Sequence, residues 1–140
     1  MNNLNHLHKL PAQKLMAVHV VQEYFAESTK PMPIAILLKF KKINCLIVAM
    51  PTDDTINCQA GKTVGWRKNT NNIKIVDMSR SKFWKECIGK NLIWAWQLIN
   101  QQGYEDGVQF CFNSPKKEII RQLIVKASAL HFYQTASLTH

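Results

Sequence analysis

Apolar and polar positions alternate clearly along several stretches of this chain. Ile34, Ile36, Leu38 and Phe40 fall two apart, with Lys39 and Lys41 on the opposite phase, so Pro33 to Met50 predicts a hairpin. Its turn is the polar Lys42-Ile43-Asn44, and Cys45, Leu46, Ile47 and Val48 form the returning strand. That strand is apolar on both phases, which predicts a central position in a sheet. Pro51-Thr52-Asp53-Asp54 breaks the run, because proline and Asx side chains favour turns, and Thr55 to Gln59 resumes a short strand. Gly61 to Asn72 is polar, contains two glycines and has no period; it predicts an exposed loop. Ile73 to Val76 is a brief strand. Ser79 or Ser81 then caps an expected short helix, with Phe83, Trp84, Cys87 and Ile88 on one face and Gly89 at its end. Leu92, Trp94, Trp96 and Leu98 alternate with Ile93, Ala95, Gln97 and Ile99. After a turn from Asn100 to Gly107 they predict a hairpin with Val108, Phe110 and Phe112. Trp84, Trp94 and Trp96 are read as core.

Two segments fit either period. Leu15 to Phe25 supports helix or strand, and Ile119 to Tyr133 shows a strand alternation beside a helical stripe through Ile120, Leu123, Ala127 and Leu130. β-branched and aromatic residues, including Val18, Val20, Val21, Ile119, Ile124, Val125 and Phe132, favour strands in both. Ser114-Pro115 argues the other way, as an N-cap and first helical residue. The expected class is therefore α+β: a β-rich antiparallel sheet of about six or seven strands with one or two short helices. No linker or repeat divides residues 1–140, which read as one domain with a flexible segment at 1–12.

Composition narrows the chemistry. A 140-residue chain that is 46% hydrophobic buries roughly two-thirds of its unfolded surface, so neither disulfides nor metal are needed to hold it. Cys45, Cys58, Cys87 and Cys111 are at least thirteen positions apart. That spacing excludes CxxC zinc knuckles and redox pairs, and the four are expected to stay reduced as small core residues. Asn and His interrupt MNNLNHLHKLPAQ where a secretory signal needs apolar residues, and no run of about eighteen apolar residues occurs. A cytoplasmic location without membrane contact is the expectation. A formal charge of +9 points to anionic partners, and the charge by itself leaves acidic protein, nucleic acid and anionic lipid open.

No catalytic or metal motif is assembled, and no cofactor is expected. Gly61-Lys62-Thr63 resembles the end of a phosphate loop, but Ile56 stands where that loop needs its first glycine. Asp53-Asp54 and Glu105-Asp106, with Asp77, are turn or surface acids first. A metal enzyme built on Asp53, Asp54 and Asp106 ranks last among the functional readings. His19 and His131 lie in ordered elements, without a serine or cysteine in a nucleophile context.

Binding features are more visible. Trp66-Arg67-Lys68, with Lys62 and Lys74, pairs a stacking ring with phosphate-seeking charge, as single-stranded nucleic-acid binders do. In the Asn100 to Asp106 stretch, Gly103 suits φ > 0, Asp106-Gly107 suits a tight turn, and Gln101, Gln102 and Tyr104 offer a polar, specific surface. PTDDTI at 51–56, WAWQLINQQGYEDGVQFCF at 94–112 and QLIVKAS at 122–128 together resemble a family of small bacterial proteins known only as a domain of unknown function. The resemblance covers roughly residues 15 to 135 and implies a bacterial cytoplasmic α+β protein with strands at both ambiguous ends. It implies no activity, and proteins of this description often accompany secreted bacterial toxins as immunity partners. The leading expectation is thus a non-enzymatic, immunity-type protein that neutralises a toxin or other acidic protein by direct binding. Trp66, Arg67, Lys68, Gln101, Gln102 and Tyr104 would form its contact surface. The alternative is a basic single-strand nucleic-acid binder using Lys62, Trp66, Arg67, Lys68 and Lys74.

Overall fold

The alternating pattern of the C-terminal stretch decides its conformation. Ile119, Arg121, Leu123 and Val125 are buried, whereas Ile120, Gln122 and Ile124 are only partly covered and Lys126 is exposed. A period of two places these sets on opposite faces of a strand, and no helix produces it. The computed structural model describes residues 10–25, 30–61 and 72–134. Within them run β1 (Leu15–Glu23), β2 (Met32–Phe40), β3 (Asn44–Met50), β4 (Thr55–Gly61) and β5 (Ile73–Asp77). β6 (Leu92–Ile99), β7 (Glu105–Asn113), β8 (Glu118–Lys126) and β9 (Ala129–Gln134) follow.

All pairings are antiparallel. The first sheet has the order β4-β3-β2-β1-β5 and the second β6-β7-β8-β9. β3 is internal, as its doubly apolar pattern requires, with Cys45, Leu46 and Ile47 all buried. The inner faces share one core. Val18, Val20, Ile36, Leu38, Cys45 and Ile47 of the first sheet cluster with Val108, Phe110, Phe112, Ile119 and Leu123 of the second. β9 lies against β2, and β4 against β7.

Among the described residues there is no helix, so the expected α+β class is corrected to all-β. The expected helix near Ser79 to Gly89 is instead a run of turns. Its cap is present, since the Ser81 hydroxyl accepts from the Trp84 N–H at 3.4 Å, and Lys85 N–H reaches Ser81 O at 2.8 Å. The segment is nevertheless tied to β1 at both ends: Met78 N–H donates to Val18 O and Gly89 N–H to Leu15 O. Isolated helices shorter than about twelve residues are marginal, and here burial of Trp84 and Cys87 in the core, with Phe83 packed against it, sets the path. Gly89 has φ +81°, the left-handed value expected of a terminator.

Arg121 fixes this segment to the second sheet. Its guanidinium is buried on the inner face of β8, where Nε donates to Phe83 O at 2.9 Å and NH1 to Ile120 O at 3.0 Å. NH2 meets the Glu86 carboxylate, and the Phe83 ring lies 4.9 Å from the guanidinium carbon. Lys117 adds a second cation 3.4 Å from Glu86.

Two turns connect the ends of the sheets. Ala127 (φ 51°) and Ser128 (φ 65°) form the two-residue β8–β9 connection, and Ser128 N–H donates to Asp54 of the β3–β4 turn at 2.8 Å. The stretch expected to be flexible at 1–12 is anchored from Leu10, which is fully buried, and Ala12 N–H donates to Leu92 O. Residues 1–9 lie outside the described residues.

Candidate functional site

A single irregularity in β6 decides which of its side chains reach solvent. Leu92 is paired with Phe112 and Trp94 with Cys111, a register shift between them, so the strand changes phase after its first residue. Leu92 and Ala95 therefore belong to the core, while Trp94 and Trp96 turn outward, 54% and 44% exposed. Their rings stack, centroids 6.1 Å apart and planes 25° from parallel. Both were expected in the core; the extra residue at the bulge reverses that expectation.

Register assigns the rest of the outer face. Cys111 lies beside Trp94, Gln109 beside Trp96 and Gly107 beside Leu98. The next strand contributes Ile120, Gln122 and Ile124, and β9 contributes Tyr133 and His131. Gln122 Nε2 donates to Gln109 Oε1 at 2.6 Å, and Lys126 Nζ to the Tyr133 hydroxyl at 3.0 Å. Polar groups are thus interspersed through an apolar, aromatic face. β6 also forms the end of its sheet, and LIWAWQLI has no charged residue of the kind that usually protects an edge strand.

The β6–β7 turn stands at one end of this face. Asn100 organises it: its side-chain oxygen accepts from Gln102 N–H at 2.9 Å and Tyr104 N–H at 3.1 Å, and its amide donates to Asp106. Gly103 takes φ +86°, as its place in the sequence suggests. The expected tight turn at Asp106-Gly107 is not formed, because both residues are inside β7. A Cβ on Gly107 would stand 2.9 Å from Leu123 O, so close strand packing explains this glycine. Gln101, Gln102 and Tyr104 are exposed, Tyr104 at 51%.

Comparison with known proteins adds one result. The model of the "Family of unknown function (DUF6334)" matches residues 1–138. The chain belongs to that family. No curated protein and no solved structure matches it.

Of the other binding residues singled out in this DUF6334 member, only Lys74 falls among the described residues. Lys62, Trp66, Arg67 and Lys68 lie outside the described residues. Lys74 is on β5, at the edge of the first sheet, with Nζ 5.1 Å from the Tyr24 ring centroid. It is therefore on a different sheet from the one whose β6–β7 turn carries Tyr104, Gln101 and Gln102.

The carboxylates serve local structure. Asp53 accepts from Thr55 N–H and Oγ1, Asp54 from Ser128 N–H and Asp106 from the Asn100 amide. Hydrogen bonds from Ser79 hold Asp77 below the usual carboxylate range, with His19, 3.7 Å away, and Arg80 adding to the effect. Among the described residues no three His, Cys, Asp or Glu side chains are grouped to hold a metal ion. Two clefts flank the Ser128 turn. One, about 510 Å³, includes His131 but no serine or cysteine. The other, about 340 Å³, includes Ser128, whose hydroxyl is directed to Pro51 O, but no histidine.

The four cysteines are buried and free. Cys45 and Cys58 bring their Sγ atoms to 3.2 Å across β3 and β4, a contact that spacing alone does not reveal. That mutual hydrogen bond, with burial, pushes the Cys45 thiol well up; burial takes Cys87 to about 12 and Cys111 to about 11. Thiolate is the reactive form, so Cys45, Cys87 and Cys111 are expected to resist a thiol reagent in the native protein at neutral pH, and burial shields Cys58 from the reagent. Unfolding without reductant should release four titratable groups. Two groups would mean that Cys45 and Cys58 are joined.

Proposed function

We propose that this protein is a non-enzymatic binding protein that engages an acidic protein partner through the outer face of the second sheet. The observation that supports this reading is the exposed, stacked Trp94–Trp96 pair on an uncharged edge strand. Large exposed apolar patches mark interaction sites, and tryptophan and tyrosine dominate the energetics of protein interfaces. Gln109, Gln122 and Tyr133 supply hydrogen-bonding groups around the rings, while Tyr104, Gln101 and Gln102 extend the surface at one end. A chain of charge +9 attracts an acidic partner and repels its own copies. Neutralisation of a toxin by covering its active site is the form of partnership we favour, in the cytoplasm of a bacterium.

A second reading rests on the same rings, since a stacked tryptophan pair on a basic protein also suits the bases of a single strand. Affinity capture from host cells, run in parallel with wild type and the Trp94→Ser/Trp96→Ser variant and with nuclease present, separates the two. An acidic protein retained by wild type and lost from the variant is the expected result. Equal recovery by both would remove this face from consideration, and recovery that nuclease abolishes would favour the second reading.

A further inference from the structure

Lysines far apart in the sequence meet at one end of the sandwich. Lys41 and Lys42 form the β2–β3 turn, and Lys41 N–H donates to Lys14 O at 2.9 Å. Lys14 is bridged to Asn91, and Leu15 N–H donates to Lys90 O at 3.0 Å. Asn113 N–H in turn donates to Asn91 O at 2.9 Å, which brings in the β7–β8 turn with Lys116 and Lys117. Of the acids here, Glu86 is paired with Arg121 and Lys117, while Glu118, which accepts from the Cys111 thiol at 3.6 Å, leaves one negative charge among the lysines. Among the described residues, Lys14, Lys41, Lys42, Lys90 and Lys116 have no carboxylate within ion-pair distance.

The other end carries the opposite bias. Asp53 and Asp54 in the β3–β4 turn, Glu105 and Asp106 at the start of β7, and Glu23 at the end of β1 gather there, with Lys30, Lys74 and Lys126 nearby. Antiparallel topology returns every other turn to the same end, and the sequence places lysines in one set of turns and most of the acids in the other. Trp94 is three residues along β6 from Asn91, roughly 10 Å from the lysine end at about 3.3 Å per residue. That is close to one screening length at physiological salt.

We infer that the lysine end is the electrostatic half of the interface, so that the acidic partner docks with one polarity along β6: its carboxylates over Lys14, Lys41, Lys42, Lys90 and Lys116, its apolar contact on Trp94 and Trp96, and its remainder away from the Glu105–Asp106 end. This rests on the protein-binding reading proposed above and adds the orientation of the partner. Lysines suit the rim role, where long, hydrated charges steer encounter, while the rings at the centre hold the complex.

The test uses a displayed library of short random peptides, panned at physiological salt. The targets are wild type, Trp94→Ser/Trp96→Ser, a pole variant (Lys14→Glu/Lys41→Glu/Lys42→Glu/Lys116→Glu) and an opposite-end control on the first sheet (Lys74→Glu). All substituted side chains are exposed, and circular dichroism verifies that each target is folded. Wild type should enrich peptides that combine an acidic run with an apolar stretch in a constant order. The pole variant should lose the acidic run but keep the apolar one, and should bind the wild-type winners at least about tenfold more weakly, with a shallower salt dependence. The control should behave as wild type. Equal enrichment of acidic runs by the pole variant, or none by wild type, overturns the inference. Loss of apolar selection in the tryptophan variant alone tests the underlying reading separately. Tighter binding of wild type to oligothymidylate than to any winning peptide would transfer the lysine end to nucleic acid and overturn the protein assignment.

Discussion

Arg121→Ala should lower the unfolding free energy by about 3 kcal/mol, the largest effect expected of any polar substitution in the described residues. The change removes a buried cation that holds three acceptors, Phe83 O, Ile120 O and Glu86, and it leaves a cavity beneath the Ser79–Gly89 segment. Arg121→Met refills part of that space with an apolar chain, so it should cost less; Glu86 is partly exposed and keeps Lys117. The effect is pH-dependent. The Arg121 hydrogen bond, with the charges of Arg121 and Lys117, holds the Glu86 carboxyl below its ordinary range against a smaller opposing effect of burial. A carboxylate depressed in the folded state contributes stability above its unfolded pKa of about 4.3, and that contribution is lost as pH falls through the lower folded value. Urea titrations at neutral pH and well below pH 4 should therefore show the gap between wild type and Arg121→Ala narrowing in acid. A gap that is absent at neutral pH would mean that Arg121 does not clamp the segment.

Much of the strand pattern was legible from periodicity. The Pro33 to Met50 hairpin, the internal position of β3 and the strands at both ambiguous ends follow from alternation and β-branched content, and β2, β3, β1, β8 and β9 occupy those places. The helix near Ser79 was misread because its local cues are real but short. Ser81 caps and Gly89 turns, yet the intervening residues are drawn to β1 and Arg121 by contacts no local pattern contains.

The site was less legible, for two separate reasons. In LIWAWQLI both phases are apolar, so the bulge after Leu92 is invisible in the sequence while it exchanges buried and exposed residues. The lysine end is invisible because Lys14, Lys41, Lys90 and Lys116 are neighbours only through the antiparallel connections. The exposed turn that carries Gln101, Gln102 and Tyr104 is legible because a glycine-containing polar turn is a local feature.

Trp94→Ala and Trp96→Ala should separate stability from binding. Each ring is about half exposed, so folding should lose only about 1 kcal/mol, chiefly from the ring–ring contact. Partner affinity should fall by about 2 kcal/mol per ring, close to thirtyfold, if the pair is the interface centre. Most of that loss should be in dissociation, whereas lysine reversals should slow association. Surface-binding kinetics on the captured partner, with thermal melts of the same variants, would measure both. Unchanged dissociation beside a large drop in melting temperature would assign the rings to folding alone.

Photo-cross-linking in host cells tests the binding face most directly. Gln109→p-benzoylphenylalanine places the reactive group beside Trp96 without removing either ring, and Gln59→p-benzoylphenylalanine places it at an exposed position on the outer face of the first sheet. The face proposed here predicts a discrete adduct with an acidic protein from position 109 and none from position 59. An adduct from position 59 alone, or one from position 109 that nuclease digests, would contradict it.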